Sequence, residues 1–100
     1  MQQALVLSNK ILTEEDISDV LEFHLNGKKM NIFCSIGDIN IVAVYNFCKK
    51  FNVPFEIFYN GDIDILNTFN FNKVFIFGTK SLYTLVTKYR KKRGVVWIER

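Results

Sequence analysis

The sequence predicts a single three-layer α/β domain, residues 1–100, built on a mostly parallel five-stranded sheet with helices on both faces. Three observations carry that expectation. Short apolar runs alternate four times with stretches of helical spacing, and the chain closes on a last apolar run, Val95-Val96-Trp97-Ile98. A parallel strand reaches its neighbour only through a crossover, usually a helix, so this rhythm reads as consecutive βαβ units. One hundred residues suit one domain, and 49% apolar with 15% aromatic content supplies an efficient core. No linker, solenoid-period repeat or low-complexity tail interrupts the pattern.

Ala4-Leu5-Val6-Leu7 is the first strand. Thr13-Glu14-Glu15-Asp16 has the form of a capping box, in which the Thr hydroxyl and the Asp carboxylate satisfy free amides at a helix start. Ile17, Val20, Leu21, His24 and Leu25 then share one face, and Gly27 ends the helix in the left-handed conformation. Asn31-Ile32-Phe33-Cys34 is the second strand. Asp38 is placed to cap a second helix with Ile41, Val44, Tyr45, Cys48 and Phe51 inward, and Asn52-Val53-Pro54 stops it.

Phe55 to Tyr59 make the third strand, and Asn60-Gly61 turns the chain. A short helix is expected around Ile63 to Phe69. Val74 to Phe77 are of buried-strand type, and Thr79 caps a last helix with Leu82, Leu85, Val86 and Tyr89 inward and Gly94 at its end. Right-handed crossovers make the whole resemble the flavodoxin-like or Rossmann-like group of folds.

Composition narrows the function classes. No apolar run approaches the ~20 residues that cross a bilayer, and Met1-Gln2-Gln3-Ala4 lacks the basic region of a signal peptide. A cytoplasmic protein is expected, in the host cytoplasm if the source is viral. Cys34 and Cys48 have no CxxC spacing, and one histidine excludes a histidine-rich metal site. Heavy use of Phe, Asn, Ile and Lys is typical of an AT-rich genome, whether bacterial, phage or archaeal viral. With ten Phe in the chain, any surplus of large aromatics over what a small core hides must sit on the surface, and a homodimer or another protein contact is expected there.

In open α/β sheets ligands bind beyond the carboxyl ends of the strands, near the point where strand order reverses. Those ends carry Ser8-Asn9, Ser35-Ile36-Gly37-Asp38, Asn60-Gly61-Asp62 and Gly78-Thr79-Lys80. The candidate ligand pocket is therefore Cys34, Ser35, Gly37, Asp38, Asp62 and Thr79. A helix start after a glycine turn attracts anions, yet neither GxGxxG nor GxxxxGK[ST] is present, and the Asp38 carboxylate stands where a phosphate would lie. Asp38, Asp62 and Asp64 occupy ends where receiver and toprim domains hold Mg²⁺, but the first strand ends in Ser8-Asn9 without an acid. Turn and cap duty accounts for these aspartates, and no metal or cofactor is assigned.

Lys28-Lys29-Met30-Asn31-Ile32-Phe33-Cys34-Ser35-Ile36-Gly37 resembles the start of the cytoplasmic B component of lactose/chitobiose-type sugar phosphotransferase permeases. Lys50-Phe51-Asn52-Val53-Pro54-Phe55 and Phe75-Ile76-Phe77-Gly78 fall where that family has comparable segments. The resemblance implies a phosphoryl carrier with Cys34 as nucleophile and the following loop holding the phosphate. The loop here continues Asp38-Ile39-Asn40-Ile41 where the family is rich in small donors, and Met1 to Gly27 have no counterpart.

The remaining constellation is basic. Lys88, Arg90, Lys91, Lys92 and Arg93 crowd the end of the last helix, with Lys80 earlier and Tyr83 and Tyr89 interleaved. Cations at a helix C-terminus complement its dipole, and such a run also neutralises phosphates. Net charge is only +3, but the acids gather early (Glu14, Glu15, Asp16, Asp19, Glu22) and the bases late, which predicts a polarised surface. No set of residues meets the standard of an enzyme. The expectation is a non-enzymatic, self-associating module that binds nucleic acid or an acidic partner through the last helix.

Overall fold

The computed structural model describes residues 2–59 and 65–98. The elements follow in the expected alternation: β1 (Gln2–Ser8), α1 (Glu14–Leu25), β2 (Met30–Ser35), α2 (Ile41–Phe51), β3 (Phe55–Phe58), α3 (Ile65–Thr68), β4 (Lys73–Phe77), α4 (Lys80–Arg90) and β5 (Val95–Ile98). The Asn60-Gly61 turn and Asp62, Ile63 and Asp64 lie outside the described residues.

All four ladders are parallel, and the strand order is β3-β2-β1-β4-β5. This is the order of the dinucleotide-binding type of doubly wound sheet rather than the flavodoxin type. β1 is central, and Ala4, Leu5 and Val6 are wholly buried because both faces of the sheet are covered. Its side chains alternate between two cores. Ala4 and Val6 join Ile17, Leu21, Val44 and Phe47 under α1 and α2, whereas Leu5 joins Val74, Ile76, Phe71 and Val86 on the opposite face, under α3 and α4.

Local chemistry explains the ends of the elements. The Thr13 hydroxyl accepts from the Asp16 amide at 3.1 Å, as the capping pattern predicts. α1 leaves the helix one residue before Gly27: Asn26 is already left-handed, its amide bonded to the Glu22 carbonyl, and Gly27 continues at φ +78°. α2 begins two residues after Asp38, at the N-cap Asn40. The Asp38 carboxylate accepts from the Asn40 amide at 2.9 Å, while the Asn40 side chain is drawn away to Leu12 N and Lys10 O of the loop after β1. That tie joins two loops at the price of a side-chain cap on α2.

Two inward faces differ from the sequence reading. On α2 the buried residues are Val44, Phe47 and Cys48, while Tyr45 is half exposed over the edge of the sheet, its ring 5.7 Å from that of Phe55. On α4 Val86 is buried as expected, but Leu85 and Tyr89 are exposed and Arg90 is buried in their place. The shift follows from Tyr83, which stacks on Trp97 of β5 with ring centroids 4.6 Å apart and so turns the 82/83/86/90 stripe toward the sheet. α4 stops at Lys91, which is left-handed, three residues before Gly94.

Candidate functional site

Parallel strands with antiparallel helices give the domain two chemically different ends. One holds the carboxyl ends of the strands and the starts of the helices. The other holds the ends of the helices and the starts of the strands.

At the first end, strand order reverses between β1 and β4, which makes the space between Asn9 and Thr79 the expected ligand crevice. The Asn9 side chain occupies it. Its Oδ1 accepts from the Thr79 amide at 2.9 Å and its Nδ2 donates to the Thr79 hydroxyl at 3.0 Å, which is in turn 2.7 Å from the Ser81 hydroxyl. Gly78 permits this, because a Cβ there would overlap Asn9 Oδ1. The amide a phosphate would use at the start of α4 is thus already bonded.

The loop after β2 is equally self-contained. Cys34 has no exposed surface, and Ser35 is buried with its hydroxyl accepting from the Gly37 amide at 3.2 Å. Burial, then the nearby Asp38 and Cys48, push the Cys34 thiol far above its ordinary pKa, opposite to what a nucleophile needs. Burial also raises Asp38, against the amide of Asn40 and the hydroxyl and amide of Ser8, which oppose the rise. The Ser8 hydroxyl faces Asp38 without a well-formed hydrogen bond. Cys34, Ser35, Gly37 and Asp38 therefore come together, Thr79 is bound up with Asn9, and Asp62 lies outside the described residues. Among the described residues no group of three His, Cys, Asp or Glu is placed to hold a metal.

The second end is basic. Lys28 and Lys29 follow α1, Lys49 and Lys50 close α2, Lys73 opens β4, and Lys88, Lys91, Lys92 and Arg93 end α4 and form the turn into β5. These segments are far apart in sequence, and the alternation of strand and helix brings them to one pole. Among the described residues only Lys10 and Lys80 stand at the other pole. Lys80 is one helix length from Lys88, about 12 Å, so it does not belong to the cluster. Arg90 does not contribute either: it is buried, and its Nε donates to the Arg93 carbonyl at 2.9 Å, which shapes the turn that presents Lys91, Lys92 and Arg93.

That turn lies beside Lys73, since a Cβ on Gly94 would overlap the Asn72 carbonyl. Lys73 in turn faces His24, whose pKa is lowered by burial and by that lysine. From the start of β2 to the start of β5 is three strand spacings of ~4.8 Å, so the cations span about 14 Å of this edge. Glu14, Glu15, Asp16 and Asp38 lie toward the opposite pole, and Glu22 and Glu56 are the described acids that reach the basic half.

A cleft of about 610 Å³ opens within the pole between the ends of α1 and α2. Leu25, Met30, Phe47, Phe51, Val53 and Pro54 line it together with Glu22, Lys28, Lys29 and the two left-handed asparagines, Asn26 and Asn52. Phe23 and Tyr89 add exposed rings near the same end. The run-based reading found Lys88 to Arg93 but missed Lys28, Lys29, Lys49, Lys50 and Lys73. Their common signal was position, each at the end of an expected helix or the start of an expected strand. No helix among the described residues is long and apolar enough to cross a membrane. No family model, curated protein or solved structure matches this chain.

Proposed function

We propose that this protein is a small non-enzymatic module that binds nucleic acid through its basic pole and associates with itself through a separate apolar surface. The observation that carries the first part is the convergence of four cationic segments on one end of the sheet. Cations at helix ends complement the dipoles of those helices, but Lys73 and Arg93 are not helical and join the same row. Exposed rings among the cations, Phe23, Phe51 and Tyr89, add the stacking surface that nucleic-acid grooves use. Self-association is supported by Ile36, Ile39, Val42, Tyr45 and Ile57, all large, apolar and close to half exposed or more along the β3 side. The phosphoryl-carrier alternative on Cys34 has no comparable support, because the thiol is buried and its thiolate disfavoured.

The test is fluorescence anisotropy with single-stranded DNA, duplex DNA and RNA, using heparin as the polyanion control, at low salt and at ~150 mM. Replacing Lys91, Lys92 and Arg93 by Gln, and separately Lys28 and Lys29, is expected to weaken binding in both cases. Each lost phosphate contact should lower the salt slope by about 0.7 to 0.9. Affinity no better than for heparin, or sensitivity to only one of the two segments, would overturn the pole as a nucleic-acid surface.

A further inference from the structure

We propose that the cleft in the basic pole receives an unpaired base of single-stranded nucleic acid, stacked on Phe51 with its flanking phosphates on Lys28 and Lys29. The inference rests on the pole being a nucleic-acid surface and adds which nucleic acid it takes. A duplex keeps its bases stacked and offers phosphates and groove edges, for which a row of cations is sufficient. An apolar cleft set among those cations has no role on a duplex. It suits a flexible strand whose bases splay out and stack on aromatic side chains.

The cleft has the properties such a base requires. Its volume of about 610 Å³ lies within the ~300–1,000 Å³ of small-molecule sites. Phe51 is 38% exposed as a residue, and its ring is backed by Phe47, whose ring centroid is 4.8 Å away at an interplanar angle of 35°. The rigid Phe47, only 3% exposed, fixes the platform. Lys50 Nζ lies 5.5 Å from the Phe51 centroid, on a side chain long enough to move to a phosphate without displacing the backbone. Lys28 and Lys29 line the same cleft, so apolar surface and positive charge meet where a nucleotide has its base and its phosphate. Glu22, also in the lining, can accept from the exocyclic amine of cytosine.

The experiment compares a cytosine homopolymer of ~12 nucleotides with an abasic strand of the same length, a span within the reach of one small binding domain. Both are titrated by anisotropy at ~150 mM salt against the full chain and against Phe51→Ala, with heparin alongside. Stacking predicts at least about tenfold tighter binding of the cytosine strand by the unaltered protein. Phe51→Ala is expected to abolish that advantage and leave the abasic affinity unchanged. Equal affinity for the two strands, both above heparin, overturns the base site and leaves the pole standing. A base advantage that persists in Phe51→Ala overturns it as well. Neither strand exceeding heparin removes the pole and the base site together. Should Phe51→Ala fail to fold, Phe51→Leu, which keeps apolar packing on Phe47 and removes the ring, is titrated in its place with the same outcomes.

Discussion

Asn9, at the end of β1, holds both the amide and the hydroxyl of Thr79, 70 positions along the chain, and so closes the crevice where this class of sheet usually binds its ligand. The bond pair also caps α4 from outside, since the Thr79 side chain makes no cap hydrogen bond of its own. Asn9→Ala is therefore expected to behave as the loss of a helix cap. It should cost about 1–2 kcal/mol, and each kcal/mol lowers the melting temperature of a domain this size by about 4–8 °C. Gly78→Ala is expected to be destabilising because the new methyl overlaps Asn9 Oδ1. In the Asn9→Ala background that penalty should shrink, so a thermal double-mutant cycle should show the two changes costing less than their sum. Strict additivity would mean that the two residues do not meet.

Both cysteines are expected to be inert in the native state. Cys34 and Cys48 are buried, and burial pushes the Cys48 thiol up to about 12 and the Cys34 thiol higher still. A thiol reagent at pH 8 should titrate neither until denaturant is added, and then both. A fast-reacting single thiol in the folded protein would return the phosphoryl-carrier reading to consideration.

Asp38 carries a pH dependence whose sign is fixed by its environment. Burial raises its folded pKa above the unfolded value, so the charged form is penalised on folding at neutral pH. As pH falls through the folded pKa, the native state takes up the proton first and gains stability, and the gain is complete below the unfolded pKa near 3.9. Asp38→Asn keeps an oxygen to accept from the Asn40 amide and removes the charge. It is expected to melt above the unaltered protein at pH 7, with the difference closing as pH is lowered to ~4. Urea titrations of both proteins across that range would reveal the convergence, and a variant less stable at pH 7 would contradict it.

The fold was legible because its signals are local. Periodicity marked each element, Thr13 and Asn52 mark real ends, and Gly27 falls one residue past the C-cap of α1. What escaped depends on contacts between distant segments. Asn40 gave no sign that its side chain would leave its own helix for Lys10 and Leu12, which is why Asp38 passed for the N-cap. Tyr83 stacking on Trp97 rotates α4 by a pairing that no helical period encodes. Arg90 sits in a basic run yet is consumed by its own turn, while Lys73 stands alone in sequence and joins the pole. The basic pole is a product of topology, so a reading by runs recovers only its densest segment.

The β3 side is expected to join two copies of the chain. β3 ends the sheet, so its outer edge is unpaired among the described residues. Cys34 pairs with Ile57 in register, and the Ile36 amide extends that ladder to the Phe58 carbonyl at 2.8 Å, which fixes Ile36 beside the edge. α2 runs antiparallel to β3, so Val42 lies one turn beyond Tyr45 in the direction of Ile57. The five apolar side chains are themselves uncharged, and a second copy would meet them in an isologous, two-fold pairing, with Glu56 the exposed charge on the same edge strand. Its exposed apolar side chains amount to something on the order of 500 Å², a large share of the ~800 Å² that each partner contributes to a stable interface. Edge-to-edge strand pairing would supply the remainder. Sedimentation equilibrium should thus show a dimer at micromolar concentration, and Val42→Asp should weaken it at least tenfold. Val42 is 68% exposed, so that change should alter the monomer's stability by no more than about 0.5 kcal/mol. A monomer at 100 times that concentration, or a dimer indifferent to Val42→Asp, would exclude this surface as the contact.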